Sequence, residues 1–102
     1  MALTNTTLDT APAALFTSIG SNAVIVMYLC NTGATPAEFS LYAVPAGATA
    51  DASTIIYSQV SLTGSDTYVL DTERLLLDNG DSIWGLASVT ANIVATVNTI
   101  AV

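Results

Sequence analysis

Histidine and lysine are absent from this chain, and arginine and cysteine occur once each, as Arg74 and Cys30. Each absence removes a class of chemistry. No imidazole base, Schiff-base amine or Cys–His nucleophile pair can be assembled within one chain, nor can a His/Cys zinc site. No catalytic residue, cofactor or metal is therefore expected. A lone Cys closes no internal disulfide, and Cys30, inside an apolar run, reads as a small buried core residue. Eight acids against one base leave a net charge of −7. A phosphate-binding surface needs Lys and Arg, so nucleic acid is not an expected partner. The longest apolar run is Ala23–Cys30, well short of the ~20 residues of a membrane-spanning helix. The first twenty residues hold no basic side chain and no long apolar stretch, so no signal peptide is read there. Synthesis in a cytoplasm, away from any membrane, is the expectation.

Charge itself is scarce. Charged residues make up 9% of the chain and hydrophobic residues 52%, against a typical charged share of about 25%. Ala and Thr fill the gap. A free monomer usually stays dispersed behind a mixed, charged surface, and this chain has little with which to make one. The composition therefore points to a surface partly covered by partners. The length of 102 residues suits one domain, and a compact fold of this mass would expose roughly 5,400 Å².

The periodicity is that of strands. In residues 37–44, Phe39, Leu41 and Ala43 share one face while Glu38, Ser40 and Tyr42 take the other. Ala23–Cys30 is β-branched and aromatic, which reads as a central strand. The tail 92–102 is apolar on both faces, with Ile93, Ala95 and Val97 opposite Val94, Ile100 and Val102. It reads as buried on both sides or covered by another subunit. Turns fall at Asn31-Thr32-Gly33, Pro45–Ser53, Gly64-Ser65-Asp66 and Asn79-Gly80-Asp81. The Asn-Gly step predicts a tight hairpin joining the flanking strands. Strands are expected at 13–19, 23–31, 37–45, 54–62, 66–71, 73–78, 81–89 and 92–101. Residues 72–77 also permit one helical turn capped by Asp71. The fold expected is all-β: a compact antiparallel β-sandwich, jelly-roll or Ig-like, of seven or eight short strands. Residues 1–12 read as an N-terminal arm and 13–102 as the single sandwich domain.

Few residues invite a functional reading. Asp66, Asp71, Glu73, Asp78 and Asp81 crowd one stretch. They lack the cleft of a glycosidase and the spacing and closing Glu of an EF-hand loop, and read first as solvated turn acids. Whether such turns bind Ca²⁺ stays open. The interface candidates are Tyr42, Arg74, Trp84, Ile100 and Val102. Tyr42 is read as facing outward beside Glu38 and Ser40. Arg74 would pair with Asp71, Asp78 or an acid of a neighbouring subunit. Trp84 shares its strand face with Leu86 and serves either the core or an interface.

Two strings carry a resemblance. One is Asn31-Thr32-Gly33-Ala34-Thr35-Pro36 followed by Phe39-Ser40-Leu41-Tyr42-Ala43-Val44-Pro45-Ala46-Gly47. The other is Asp66-Thr67-Tyr68-Val69-Leu70 leading to Leu75-Leu76-Leu77-Asp78-Asn79-Gly80-Asp81-Ser82-Ile83. Over roughly residues 20–90 the chain resembles small virion structural proteins of tailed bacteriophages, including cyanophages, of the capsid cement or decoration kind. The shared features are turn chemistry, not active-site chemistry. The resemblance implies a non-enzymatic role in the virion, cementing or decorating the capsid by bridging shell subunits. The partner implied is the major capsid protein or another virion protein. A homo-oligomer is expected, a trimer first and a dimer next. The alternatives are a neck or tail component, or a host-surface binding module.

Overall fold

The computed structural model describes residues 2–71 and 75–102. Nine strands run in order: β1 Ala2–Thr7, β2 Ala13–Thr17, β3 Asn22–Asn31, β4 Ala37–Val44, β5 Ile55–Leu62, β6 Thr67–Leu70, β7 Leu75–Leu77, β8 Ser82–Ala87 and β9 Ile93–Ala101. They form two antiparallel sheets, β1-β9-β3-β6 with β7 also on β3, and β2-β8-β4-β5. The accessible surface is 5323 Å², close to the value expected of a compact domain of this mass. The fold is an all-β sandwich.

Alternation builds the core. Leu29, Ile93, Ala95 and Val97 from the five-stranded sheet meet Phe39, Leu41, Ile83 and Ala87 from the other, all at 2% exposure or less. Phe39 packs edge-on to Tyr68 of β6, ring centroids 5.4 Å apart, so one aromatic pair ties the two layers. Gly85 has a packing reason. A Cβ there would sit 3.2–3.3 Å from the side chains of Leu8, Leu15 and Leu41, which fill the space it leaves.

Three expectations need correction. The predicted arm is a strand: β1 pairs with β9 from Ala2↔Thr99 to Thr7↔Val94, and Leu8 is fully buried behind it. Its Thr and Asn content hides the period-2 pattern, because an edge strand need not be apolar on both faces. This raises the strand count to nine. The Asn79-Gly80 step makes no hairpin between paired strands. Gly80 has φ +91° while Asn79 is not left-handed, and Asp81 N–H donates to the Asp78 carbonyl at 3.1 Å. Positive φ at the second central residue alone is the type II pattern, which splays strands where type I′ would pair them. Accordingly β7 joins β3 in one sheet while β8 enters the other. Leu75–Leu77 is strand, as expected within 73–78, and not the helical turn that 72–77 also permitted; residues 72–74 lie outside the described residues. Finally, β9 is buried on one face only, in the pattern buried–intermediate from Ile93 to Thr99.

Six of the eight connections cross from one sheet to the other; only β4–β5 and β6–β7 stay within one. These crossings are held by polar side chains. Asn31, fully buried, donates from Nδ2 to the carbonyls of Thr35 (2.9 Å) and Leu62 (3.1 Å), and its Oδ1 accepts from Gly33 N–H (3.0 Å). Between the β2–β3 and β7–β8 crossings Gly20 N–H donates to Asn79 Oδ1 at 2.9 Å and Gly80 N–H to the Ser18 carbonyl at 2.9 Å. The Asn-Gly turn therefore clasps the β2–β3 turn.

Candidate functional site

Three of the aspartates, Asp9, Asp51 and Asp81, are occupied. Asp9 Oδ1 accepts from Thr10 N–H (2.7 Å) and Thr90 Oγ1 (2.9 Å). Asp81 accepts from Ala46 N–H and Asp78 N–H, both at 3.0 Å. Asp51 accepts from Ser53 N–H (2.9 Å), Thr49 Oγ1 (2.8 Å) and Ser53 Oγ. Such bonds favour the charged carboxylate. The Thr10 and Thr90 contacts hold the Asp9 carboxyl below its usual range, and the Ser53 and Thr49 contacts do the same for Asp51. These side chains brace their own turns. Among the described residues no group of three potential metal ligands converges.

The interface candidates scatter. Tyr42 does not face solvent: it is 7% exposed, because β4 is an interior strand and Trp84 and Ile55 stand directly opposite it on either side. Neighbours of that size cover the ring. Trp84 is not in the core; Ile83 takes the inward place and Trp84 lies half-buried on the outer face, its Nε1 donating to Ser82 Oγ at 2.8 Å. Ile100 and Val102 are exposed, the latter at 73%. Arg74 lies outside the described residues. Cys30 is half-buried on an outer face and not in the core.

Register shows what the sequence concealed. On the outer face of the five-stranded sheet, Thr96 stands between Asn5 and Tyr28, and Tyr28 stands opposite Val69. In adjacent rows Asn98 lies between Leu3 and Val26, and Ala23 between Ile100 and Leu76. Leu3, Tyr28, Val69, Leu76 and Ile100 are all exposed. No Asp, Glu or Arg lies within the strands of this face among the described residues, and Asp71 follows directly at the edge, beyond the end of β6. One polar pair there is internally satisfied, with Thr96 Oγ1 donating to Asn5 Oδ1 at 2.8 Å. The outer face of the four-stranded sheet differs, since Glu38 shares it with Ser40 and Tyr42.

Sequence reasoning located Ile100 on this face and missed Leu3, Tyr28, Val69 and Leu76. Tyr28 sat inside a run that read as uniformly buried, and Leu3 inside the supposed arm. Only strand pairing brings these four strands' side chains into one plane.

No family model, curated protein or solved structure matches the chain.

Proposed function

We propose that the protein is a non-enzymatic structural component of a phage virion that cements or decorates the capsid by bridging shell subunits. The observation that carries this reading is the uncharged outer face of the five-stranded sheet, with Leu3, Tyr28, Val69, Leu76 and Ile100 in water. An uncharged surface that exposes several large hydrophobic side chains is covered in an assembly more often than left bare. The resemblance over residues 20–90 names the assembly. Residues within the strings that carry it, Asn31, Gly33, Asn79, Gly80 and Asp81, act in this fold as turn and crossing braces, which suits a part whose work is its shape.

The mechanism is passive. Covering apolar surface contributes about 25 cal/mol per Å², and a contact that only the assembled shell presents stabilises the shell by mass action. The partner would be the major capsid protein or another virion protein, and the protein would reside in the virion. The test is to strip or omit the protein and compare thermal disruption of particles with and without added protein. Increased resistance on re-addition supports cementing. Equal disruption, with the protein found at a neck or tail joint or bound to host cells, overturns it.

A further inference from the structure

The five-stranded sheet has an outer face without charge on a molecule that carries charge elsewhere. The described acids Asp9, Asp51, Asp66, Asp71, Asp78 and Asp81 stand between strands or beyond their ends, and Glu38 lies on the other sheet. We infer that this face packs against the same face of a second copy, giving a two-fold dimer through the β1-β9-β3-β6 sheet. The inference rests on the same uncovered face as the functional reading, but not on what the rest of the surface meets.

Charge selects the occupant. Two copies of net charge −7 repel over most mutual orientations, and this face lets them approach without opposing carboxylates. A basic partner would gain nothing here, because its attraction lies toward the acidic turns. Its polar groups are amides and hydroxyls, with Thr96 Oγ1 already bonded to Asn5 Oδ1 and the Asn98 Oδ1 buried without a donor, so its complement is another uncharged surface. An identical sheet face is one, and a two-fold axis makes a single patch self-complementary. Two sheets of the same twist stack at about 10 Å with strands some 30° apart.

The area suffices. Four strands spaced ~4.8 Å apart, covered over about seven residues at ~3.3 Å each, give roughly 440 Å² of projected face. Side-chain relief raises the accessible area above the projection. Two copies therefore remove roughly 1,000 Å² or somewhat more from water, at the lower bound of a specific interface. Association at micromolar concentration is the corresponding expectation, not an obligate dimer. Pairing in this way leaves each copy's four-stranded sheet and acidic turns outward, so that the dimer presents two identical surfaces and gains avidity when both engage neighbouring sites.

Sedimentation velocity and light scattering on the purified full chain test this. The result expected is a reversible dimer of twice 10.4 kDa. Val69→Asp and Ile100→Asp should each weaken dimerisation by roughly 30-fold or more, since each places a carboxylate in the contact. Both side chains are solvent-facing in the single chain, so circular dichroism should stay native. Ile56→Asp, on exposed β5 of the other sheet, should leave the dimer intact. A monomer throughout the range, a trimer, or a dimer indifferent to both carboxylates overturns the inference. A monomer that still protects particles would sink the pairing alone. A dimer without effect on particles would sink the cementing role alone.

Discussion

Phe39→Ala should remove a large part of this protein's stability. Phe39 is fully buried on interior strand β4, and its ring makes a T-shaped contact with that of Tyr68 across the sandwich, centroids 5.4 Å apart at 66°. Truncating a buried Phe costs about 3–5 kcal/mol, from lost transfer energy and the cavity left behind. The lost ring pair accounts for ~0.5–1.5 kcal/mol of that. A domain of this length has about 5–15 kcal/mol in total. At an unfolding entropy of roughly 2.1 cal/mol/K per residue, a loss near 4 kcal/mol lowers Tm by roughly 15–25 °C. Phe39→Leu keeps most of the volume and should cost well under half as much. Guanidinium and thermal unfolding followed by circular dichroism read both variants. An unchanged denaturant slope confirms that the native and unfolded states still bracket the same transition. A loss below about 1.5 kcal/mol for Phe39→Ala would refute the placement of Phe39 as the tie between layers. A Phe39→Leu/Tyr68→Leu double-mutant cycle without coupling would refute the ring contact specifically.

Three further outcomes follow from other parts of the fold. Gly80→Val should destabilise by about 1–3 kcal/mol, because a β-branched residue is strained at φ +91°; an unchanged Tm would mean that the turn has another shape. Asn98→Val should raise Tm, since the Asn98 Oδ1 is buried without a hydrogen-bond donor and such a group costs ~1–3 kcal/mol; a lower Tm would show that the carboxamide has a partner. Asp51→Ala should lower Tm near neutral pH by removing the carboxylate that braces Thr49 and Ser53. Its carboxyl is held below the ordinary range in the fold, so its stabilisation is complete above the unfolded value of about 3.9 and is lost as pH falls through the lower folded value. The difference between variant and parent should close in that acid window; a gap constant down to pH 2 (about two units below the unfolded value) would exclude the carboxylate as its cause.

Much of the sandwich was legible because its elements are local. Eight of the strands are marked by apolar alternation or β-branched runs bounded by turn residues, and Phe39, Leu41, Ile93, Ala95 and Val97 fall on the inward faces that alternation gives them. What stayed hidden is what pairing decides. Asn79-Gly80 specifies a chain reversal, but whether the flanking strands pair turns on the φ angle at Asn79, a residue that tolerates the left-handed region better than most and is not required to adopt it. Tyr42 alternates outward as expected and is buried because of Trp84 and Ile55, residues forty-two and thirteen positions away. Burial on a sheet's outer face is set by neighbouring strands, and sequence order says little about which those are when six of eight connections change sheets.

The candidate site illustrates the same point at the level of function. Apart from β9, no single strand of the five-stranded sheet looks like an interface: β1 is polar, β6 and β7 are short, and β3 reads as core. Side by side, these strands place Leu3, Tyr28, Val69, Leu76 and Ile100 on one uncharged plane, and that plane is a property of register alone. A one-residue slip of β9 against β3 would turn Val94, Thr96 and Asn98 inward and Ala95 and Val97 to the water. The deep burial of Ile93, Ala95 and Val97 therefore fixes the outer face as firmly as it fixes the core. The packed interior and the uncharged exterior are thus carried by alternate residues of the same strands, so a change of register would lose both together.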